Sequence, residues 1–299
     1  MSDRLIGALF VAISATAFGS MAIFGVWAHD AGVDTPTVLF VRFGAAALIL
    51  AGVQTARGIP LPSMRRVLAV AGMGGIGYVG QSYCYFLALQ HADASLVALL
   101  LYLFPAFVAV LAAVFLRERI NAVTASALVS ALIGTALVVG GGTGEVLGYA
   151  LAIGAAVIYS IYITVGSVAT EGLEAIAVST IVCTSAGIVC GAIVLTRSIV
   201  GEQSSLPDSS RGWLSLAAIA IICTALAIIT FFAGLARLGA TSTSVMSTLE
   251  PVVTVGLATW LLSESLSGIQ AVGGAIVIGA VIVLALTHRP VIEQPTTPV

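Results

Sequence analysis

Four residues that can hold a small polar molecule recur at helical spacing in the first third of the chain. Tyr78, Gln81, Ser82 and Tyr85 stand at i, i+3, i+4 and i+7, so they share one face of a helix. Two phenols can stack on a ring, while the carboxamide and the hydroxyl can hydrogen-bond a polar head group. Polar residues also join neighbouring helices in membranes, but four on a single face exceed what packing requires. This face therefore predicts the wall of a ligand cavity.

Two charged residues lie inside apolar stretches, where an ionisable group is costly and usually has a function. Glu250, directly before Pro251, is interpreted as a protonation site or as the group that grips a substrate ammonium. The alternative is a packing carboxyl, neutral or hydrogen-bonded beside the proline. Arg42 is interpreted as a structural residue, with snorkelling to the outer interface as the alternative.

The composition requires the elements around these residues to span a membrane. Hydrophobic residues make up 60% of the 299 residues and charged residues 8%, against about 25% charged in soluble domains. A helix crosses the bilayer core with about 20 apolar residues, and the apolar runs are too long and continuous for alternating barrel strands. The predicted fold is all-α and polytopic, with ten transmembrane helices. They are predicted over residues 4–28, 36–54, 64–90, 93–116, 121–140, 146–169, 175–196, 212–235, 240–262 and 268–287.

One phrase is written twice in the sequence. "LFPAFVAVLAAVFLRERI" at 103–120 and "LEPVVTVGLATWLLSESL" at 249–266 are identical at six of eighteen positions when offset by 146 residues. The offset places Pro105 on Pro251 and Glu118 on Glu264. Since both prolines free a helical carbonyl one turn back and permit a bend, we predict that they act as hinges.

The offset divides the ten predicted spans into two sets of five. Because five is odd, the second set enters the membrane from the side on which the first set left, which makes the repeat inverted, as in many secondary transporters. The predicted units are residues 1–143 and 144–288, followed by a disordered cytoplasmic tail at 289–299.

Corresponding positions of the two halves are expected around one midplane site. The offset carries Tyr78 to Thr224, Tyr85 to Phe231 and Tyr102 to Thr248, and it carries Ser95 to Thr241. Spans one and six add two aromatic residues that align weakly. The predicted substrate-binding residues are Phe18, Tyr78, Gln81, Ser82, Tyr85, Tyr102, Tyr159, Thr224, Phe231 and Thr248.

The arginines predict the orientation, since cytoplasmic loops carry the excess of basic residues. With the N-terminus inside, eight arginines fall on cytoplasmic segments and two, Arg197 and Arg211, on outer ones. We therefore predict a protein of the cytoplasmic (inner) membrane with both termini in the cytoplasm. The first span is expected to be retained, because it is longer than a signal-peptide core.

Other chemistry is not indicated by the sequence. "GMGGIG" at 72–77 fits a dinucleotide fingerprint, but it lies in an apolar span without the strand–helix context that the fingerprint needs. The four cysteines are interpreted as free buried thiols, and neither a metal nor a cofactor is predicted. With a net charge of −2 and no clustered basic face, nucleic-acid binding is not expected. The predicted partners are lipid and a small-molecule substrate, and the chain is expected to be a monomer or a weak dimer.

The doubled phrase resembles the signature of EamA-type carriers in the drug/metabolite transporter superfamily: a span with a mid-helix proline that ends in Leu-x-Glu. "FLALQHADASLVALL" and "FAGLARLGATSTSVM" resemble the hairpins that precede it in each half. The resemblance implies a 5+5 inverted repeat with a central cavity formed by spans one, three, four, six, eight and nine. Length and the aromatic face of span three are similar to those of the aromatic amino acid exporters of this family.

The predicted function is a secondary transporter that exports small metabolites by alternating access through a central cavity. The expected substrates are aromatic or other large neutral amino acids. Facilitated diffusion is favoured, because Glu250 is the one central group that could couple transport to protons. The alternatives are proton-coupled efflux of drugs or other metabolites and, in another class, a membrane receptor or scaffold. An enzyme is not expected, since no nucleophile–base set lies at membrane depth.

Overall fold

A computed structural model describes residues 3–115, 122–140, 144–170, 172–202, 205–238 and 246–287. Its elements are helices, and no strand occurs among these residues. An apolar chain in lipid satisfies its backbone hydrogen bonds within each helix, so the all-α prediction is confirmed. The predicted tail at 289–299, Glu118 and Thr241 lie outside the described residues.

The described part of the first half contains eight α-helices. They are α1 (Asp3–Gly19), α2 (Met21–Asp30), α3 (Thr35–Ala56), α4 (Met64–Gly72), α5 (Val79–Ala88), α6 (Ala94–Leu101), α7 (Phe104–Phe115) and α8 (Ala122–Gly140). The described part of the second half contains α9 (Val146–Ala169), α10 (Ala175–Ile199), α11 (Ser210–Ala220), α12 (Ala227–Leu238), α13 (Leu249–Leu261) and α14 (Gly268–Thr287).

Seven helical segments of the described chain are long and apolar enough to cross a membrane. Two shorter apolar helices, Leu249–Leu261 and Gly268–Val283, follow them. The predicted third span is helical from Met64 to Ala88, but its arginines, glycines and polar face make it less apolar than the seven. The structure therefore shows a multi-pass membrane protein.

Both helices that contain the matched prolines are interrupted three residues before the proline. Tyr102 and Leu103 form a turn between α6 and α7, ahead of Pro105, and Thr248 is a turn residue ahead of Pro251. A proline has no N–H and its ring crowds the preceding turn, which accounts for both breaks. Each helix is thus interrupted at the matched position, and a hinge role of the two prolines stays a prediction.

Two π-helical turns, Met73–Tyr78 and Ile221–Leu226, connect α4 to α5 and α11 to α12. The first contains three of the four glycines of the "GMGGIG" stretch. A Cβ on Gly74 would lie 2.7 Å from the Val182 carbonyl oxygen on α10, so these small residues allow close helix contact. Such turns often occur at functional sites, and the residues that follow both turns face the same cavity.

The helix pairs follow the 146-residue offset. Helix α3 packs on α10 and α8 on α14, so each of these pairs joins an element to its own counterpart. Helix α1 packs on α12, and their counterparts α9 and α5 pack on each other. Where α8 crosses α14, a Cβ on Gly134 would lie 2.7 Å from the Gly273 carbonyl oxygen. A side chain larger than hydrogen cannot fit at this crossing.

At one end of the bundle, a carboxylate from the second half caps a helix of the first half. Glu264 accepts hydrogen bonds from the backbone N–H groups of Ala94 (2.8 Å) and Ser95 (3.0 Å) and from the Ser95 hydroxyl (2.7 Å). A carboxylate at a helix N-terminus satisfies otherwise unpaired donors and interacts favourably with the helix dipole. Ser263, directly before it, has a φ of 58°, an uncommon conformation that places Glu264 against α6.

Candidate functional site

A cavity of about 620 Å³ lies between the helices of both halves. This volume is within the range of small-molecule sites, about 300–1,000 Å³. The wall is mainly apolar and aromatic, with a few polar groups. Among its lining residues are Phe18, Arg42, Tyr78, Gln81, Tyr85, Tyr102, Phe104, Pro105, Tyr159, Tyr162, Phe231, Phe232 and Glu250.

Aromatic rings form a continuous series along the cavity wall. Tyr78 stacks on Tyr162 at 5.4 Å between ring centroids, and Tyr162 stacks on Tyr159 at 5.9 Å. Phe104 contacts Tyr159 edge-to-face at 4.8 Å and Tyr102 at 5.7 Å. Stacked and edge-to-face pairs are the preferred aromatic geometries, so these rings are held in place before a ligand arrives. The series joins the first and second halves across the cavity.

Arg42 provides a buried positive charge at this wall. Its side chain donates to the Thr224 hydroxyl from Nε (3.2 Å), to the Ser82 hydroxyl from Nη1 (3.3 Å) and to the Tyr78 hydroxyl from Nη2 (3.0 Å). The guanidinium also lies 4.8 Å from the centroid of the Phe43 ring, a cation–π distance. Arg42 is 2% exposed. The snorkelling alternative for Arg42 is therefore wrong, because the side chain points into the bundle.

Glu250 provides a carboxyl group on the same cavity. The Tyr102 hydroxyl lies 2.9 Å from Glu250 Oε2 and 2.8 Å from the Ser247 carbonyl oxygen. The side chain is partly exposed to the cavity rather than packed away. Backbone packing fixes its position: a Cβ on Gly19 of α1 would lie 2.7 Å from the Glu250 carbonyl oxygen. The close approach of α1 therefore sets where the carboxylate stands.

Most of the predicted binding residues lie on this wall, but four selected positions do not. Phe18, Tyr78, Gln81, Tyr85, Tyr102, Tyr159 and Phe231 line the cavity, as do Arg42, Glu250 and Pro105. Ser82 and Thr224 are fully buried behind the wall, where they accept from Arg42. Thr248 and Pro251 are also buried away from the cavity. On the face of Tyr78, Gln81, Ser82 and Tyr85, the helix is rotated so that the Ser82 edge turns away from the cavity.

Several wall residues were not predicted. Tyr162, Phe104 and Phe232 line the cavity, and so does the hydroxyl-bearing Ser179. Tyr159 and Tyr162 stand at i and i+3 on α9, and this spacing could have identified Tyr162. No comparable signal distinguishes Phe104 or Phe232 from the other apolar residues of their helices.

Within the described chain, no group of three or more His, Cys, Asp or Glu residues is arranged to hold a metal ion. The four cysteines are free. The site therefore consists of aromatic, hydroxyl, carboxamide and two charged side chains. Such a set binds an organic molecule by stacking and hydrogen bonding.

An all-helical multi-pass chain with an aromatic cavity between its two halves has the design of a membrane transporter. The chain belongs to the EamA-like transporter family, which matches residues 5–140 and 146–286. Both halves are matched separately, so the doubled phrase identified in the sequence reflects two copies of the family domain.

Two named relatives cover most of the chain. One is the aromatic amino acid exporter YddG of Ancylobacter novellus, 30% identical over 260 residues, which are 85% of this chain and 88% of that protein. Another is the uncharacterized transporter YcbK of Bacillus subtilis, 22% identical over 276 residues, 89% of this chain and 88% of that one. A solved crystal structure matches with a TM-score of 0.63 and 24% identity, covering 96% of this chain and 98% of its own; it supports the fold.

Proposed function

We propose that the protein exports aromatic or other large neutral amino acids through the central cavity. The observation that carries this proposal is the preformed series of rings from Tyr102 to Tyr78, which offers stacking surface for a large side chain. The printed name of the 30% identical relative, an aromatic amino acid exporter, supports the same substrate class. The transporter family favours this function over a receptor or scaffold.

We infer that the mechanism is alternating access by two inverted five-helix units, residues 1–143 and 144–288, with ten transmembrane segments. Support comes from the helix pairs α3–α10 and α8–α14, which join counterparts of the two units. Further support comes from the paired interruptions before Pro105 and Pro251, where each helix can bend. The arginine distribution supports a cytoplasmic location of both termini in the inner membrane.

Facilitated diffusion is the proposed energetics. A proton-driven cycle needs a titratable group that changes its protonation during transport, and Glu250 is the acid that lines the cavity. No second Asp or Glu lines the cavity among the described residues, and an exporter of an accumulated metabolite can move its substrate downhill without coupling. Proton-coupled efflux is the second candidate, because this same carboxylate faces the cavity.

The test is counterflow of radiolabelled tryptophan in proteoliposomes of the purified chain, with protein-free liposomes as the control. Exchange of tryptophan, phenylalanine and leucine is expected, and an imposed pH gradient is expected to produce no uphill accumulation. Transport of only phosphorylated sugars or quaternary drugs would contradict the substrate proposal. Accumulation that follows the pH gradient and disappears in Glu250→Gln would replace facilitated diffusion by proton coupling.

A further inference from the structure

An arginine and a glutamate face one cavity without forming an ion pair with each other. Within the described chain, the ion pairs are His91–Glu145, Asp34–Arg197 and Arg197–Glu202, and all three lie at helix ends or in loops. Arg42 and Glu250 belong to none of them, although both line the cavity. A buried charge is costly unless it is paired and hydrogen-bonded. A ligand that carries both charges would complete this arrangement.

Arg42 is placed to bind a carboxylate with two parallel hydrogen bonds. Each terminal nitrogen of an arginine carries two N–H groups. Nη1 donates one to Ser82 and Nη2 donates one to Tyr78, and no other acceptor for these two nitrogens occurs in the described chain. One N–H on each terminal nitrogen therefore remains for a ligand, and a carboxylate can accept hydrogen bonds from both nitrogens. The hydroxyls of Ser82, Tyr78 and Thr224 fix the plane of the fork in advance.

Glu250 is placed to accept from an ammonium group. The Tyr102 hydroxyl lies against Oε2, and Oε1 has no donor among the described residues. The Glu250 carboxylate lies at the Tyr102 end of the ring series. Arg42 contacts Tyr78 at one end of the ring series and Glu250 contacts Tyr102 at its other end, so both side chains face the same wall of the cavity.

We propose that Arg42 binds the carboxylate and Glu250 the ammonium of one zwitterionic α-amino acid, while its side chain stacks on the tyrosines. This proposal rests on the proposed function and makes it more specific: the two charges, not the rings, select amino acids from other aromatic compounds. A decarboxylated amine leaves Arg42 unpaired, and a deaminated acid leaves Glu250 unpaired. Both analogues therefore bind less tightly than the amino acid.

The competing interpretation is structural. Arg42 links α3 to α5 and to the π-helical turn of the second half through Ser82, Tyr78 and Thr224, and loss of these links could loosen the whole cavity. A structural role predicts that a substitution of Arg42 weakens every ligand by the same factor. A carboxylate-binding role predicts that it weakens only ligands that have a carboxylate.

The experiment measures inhibition of tryptophan counterflow by tryptophan, tryptamine and indole-3-propionate. For the unmodified chain, the two analogues are expected to inhibit at least about tenfold less well, the loss typical when a charged hydrogen-bonding partner is removed. Arg42→Gln should lower the affinity for tryptophan and indole-3-propionate about tenfold or more and leave tryptamine unchanged. Glu250→Gln should lower the affinity for tryptophan and tryptamine and leave indole-3-propionate unchanged.

The matched controls are Arg237→Gln and Glu202→Gln, an exposed arginine and an exposed glutamate away from the cavity, which should retain the preference for tryptophan. Equal loss for all three ligands in either cavity variant would overturn the proposal. If Arg42→Gln does not fold, Arg42→Lys, which keeps the charge but not the fork, and Glu250→Gln decide it. If the unmodified chain binds no aromatic amino acid, the aromatic part of the proposed substrate class fails. Leucine, isopentylamine and 4-methylpentanoate then test the two charges separately, and equal inhibition by these three would overturn the proposal.

Discussion

The two halves of the chain share a frame but differ at the cavity wall. The face formed by the first π-helical turn and α5 presents Tyr78 and Tyr85, whereas the corresponding positions on the second half are Thr224 and Phe231. Gln81 likewise corresponds to an alanine, Ala227. At these three positions the first half supplies polar groups and the second half a less polar surface.

Neither cavity charge is repeated. The offset carries Arg42 to Ile188, which is 67% exposed on the outside of the bundle. Glu250 corresponds to Phe104, a member of the ring series. In contrast, the interruptions before Pro105 and Pro251 occur in both halves. Symmetry is kept where helices bend and cross, and it is lost where a ligand must be distinguished from its surroundings.

The largest effect on transport is expected when cavity-lining residues of the first half are replaced by their counterparts from the second half. The double substitution Tyr78→Thr and Tyr85→Phe replaces both phenols by their counterparts. It removes the Tyr78 hydroxyl that accepts from Arg42 and the stacking of Tyr78 on Tyr162. Since a hydrogen bond to a charged group contributes about 1.5–3 kcal/mol, tryptophan counterflow should fall roughly tenfold to a hundredfold.

The matched control is Phe231→Tyr, which makes the second half resemble the first and adds a phenol at the wall without removing a contact of Arg42. It should change counterflow by less than about threefold, because a single hydroxyl on a cavity surface leaves the ring in place. If both variants lose transport equally, the polar face of α5 is not the specific part of the wall.

A smaller effect is expected where the halves meet at a helix end. In the unmodified chain, the two carboxylate oxygens of Glu264 accept hydrogen bonds from Ala94 N–H, Ser95 N–H and the Ser95 hydroxyl. In the Glu264→Gln variant, a single amide oxygen remains to accept them. The loss of such a cap costs about 1–2 kcal/mol, so the variant should unfold at a lower temperature in detergent. Glu202→Gln, which breaks an exposed ion pair with Arg197, should change the midpoint very little. Equal decreases of the unfolding temperature in Glu264→Gln and Glu202→Gln would show that the Glu264 cap does not stabilise the contact between the two halves.

The positions of many helices can be predicted from the sequence, because they depend on the length of each apolar stretch and on the charged, glycine and proline residues that end it. The predicted span 146–169 is helix α9, Val146–Ala169, and 121–140 is α8, Ala122–Gly140. Glycines and charged residues stand at the ends of these segments, so individual residues of the sequence mark the helix boundaries. The interruptions before Pro105 and Pro251 were predictable for the same reason.

The cavity was less predictable because it depends on how each helix is rotated about its axis. A single arginine in an apolar helix does not show which side of the helix faces the cavity. The sequence therefore predicts only a structural role for Arg42, although this residue lines the cavity. Ser82 and Thr224 share a face with wall residues yet stand behind it. The two π-helical turns have no residue pattern in the sequence from which they can be predicted. Packing against the other half decides these rotations, and it is not encoded in local spacing.

The smallest effect concerns Asp93, which precedes α6 beside the Glu264 cap. Burial, and secondarily the nearby Glu264 carboxylate, raise the pKa of Asp93 above its ordinary value of 3.8. A raised folded-state pKa means that the folded protein favours the neutral acid. The resulting stability is fully present below the ordinary pKa and is lost as the pH rises through the folded-state pKa.

Asp93→Asn should therefore raise the unfolding temperature at pH 7 and leave it unchanged near pH 3, where the acid is neutral in both states. Asp93 is largely exposed, so solvent screening limits the gain to at most about 0.5 kcal/mol. Asp30→Asn, at the exposed end of α2, is the control and should show no such pH-dependent difference. In a Glu264→Gln background the gain at pH 7 should shrink but persist, because burial is the larger cause. A gain that is the same at both pH values would mean that the asparagine improves the start of α6 by itself, without any contribution from the charge.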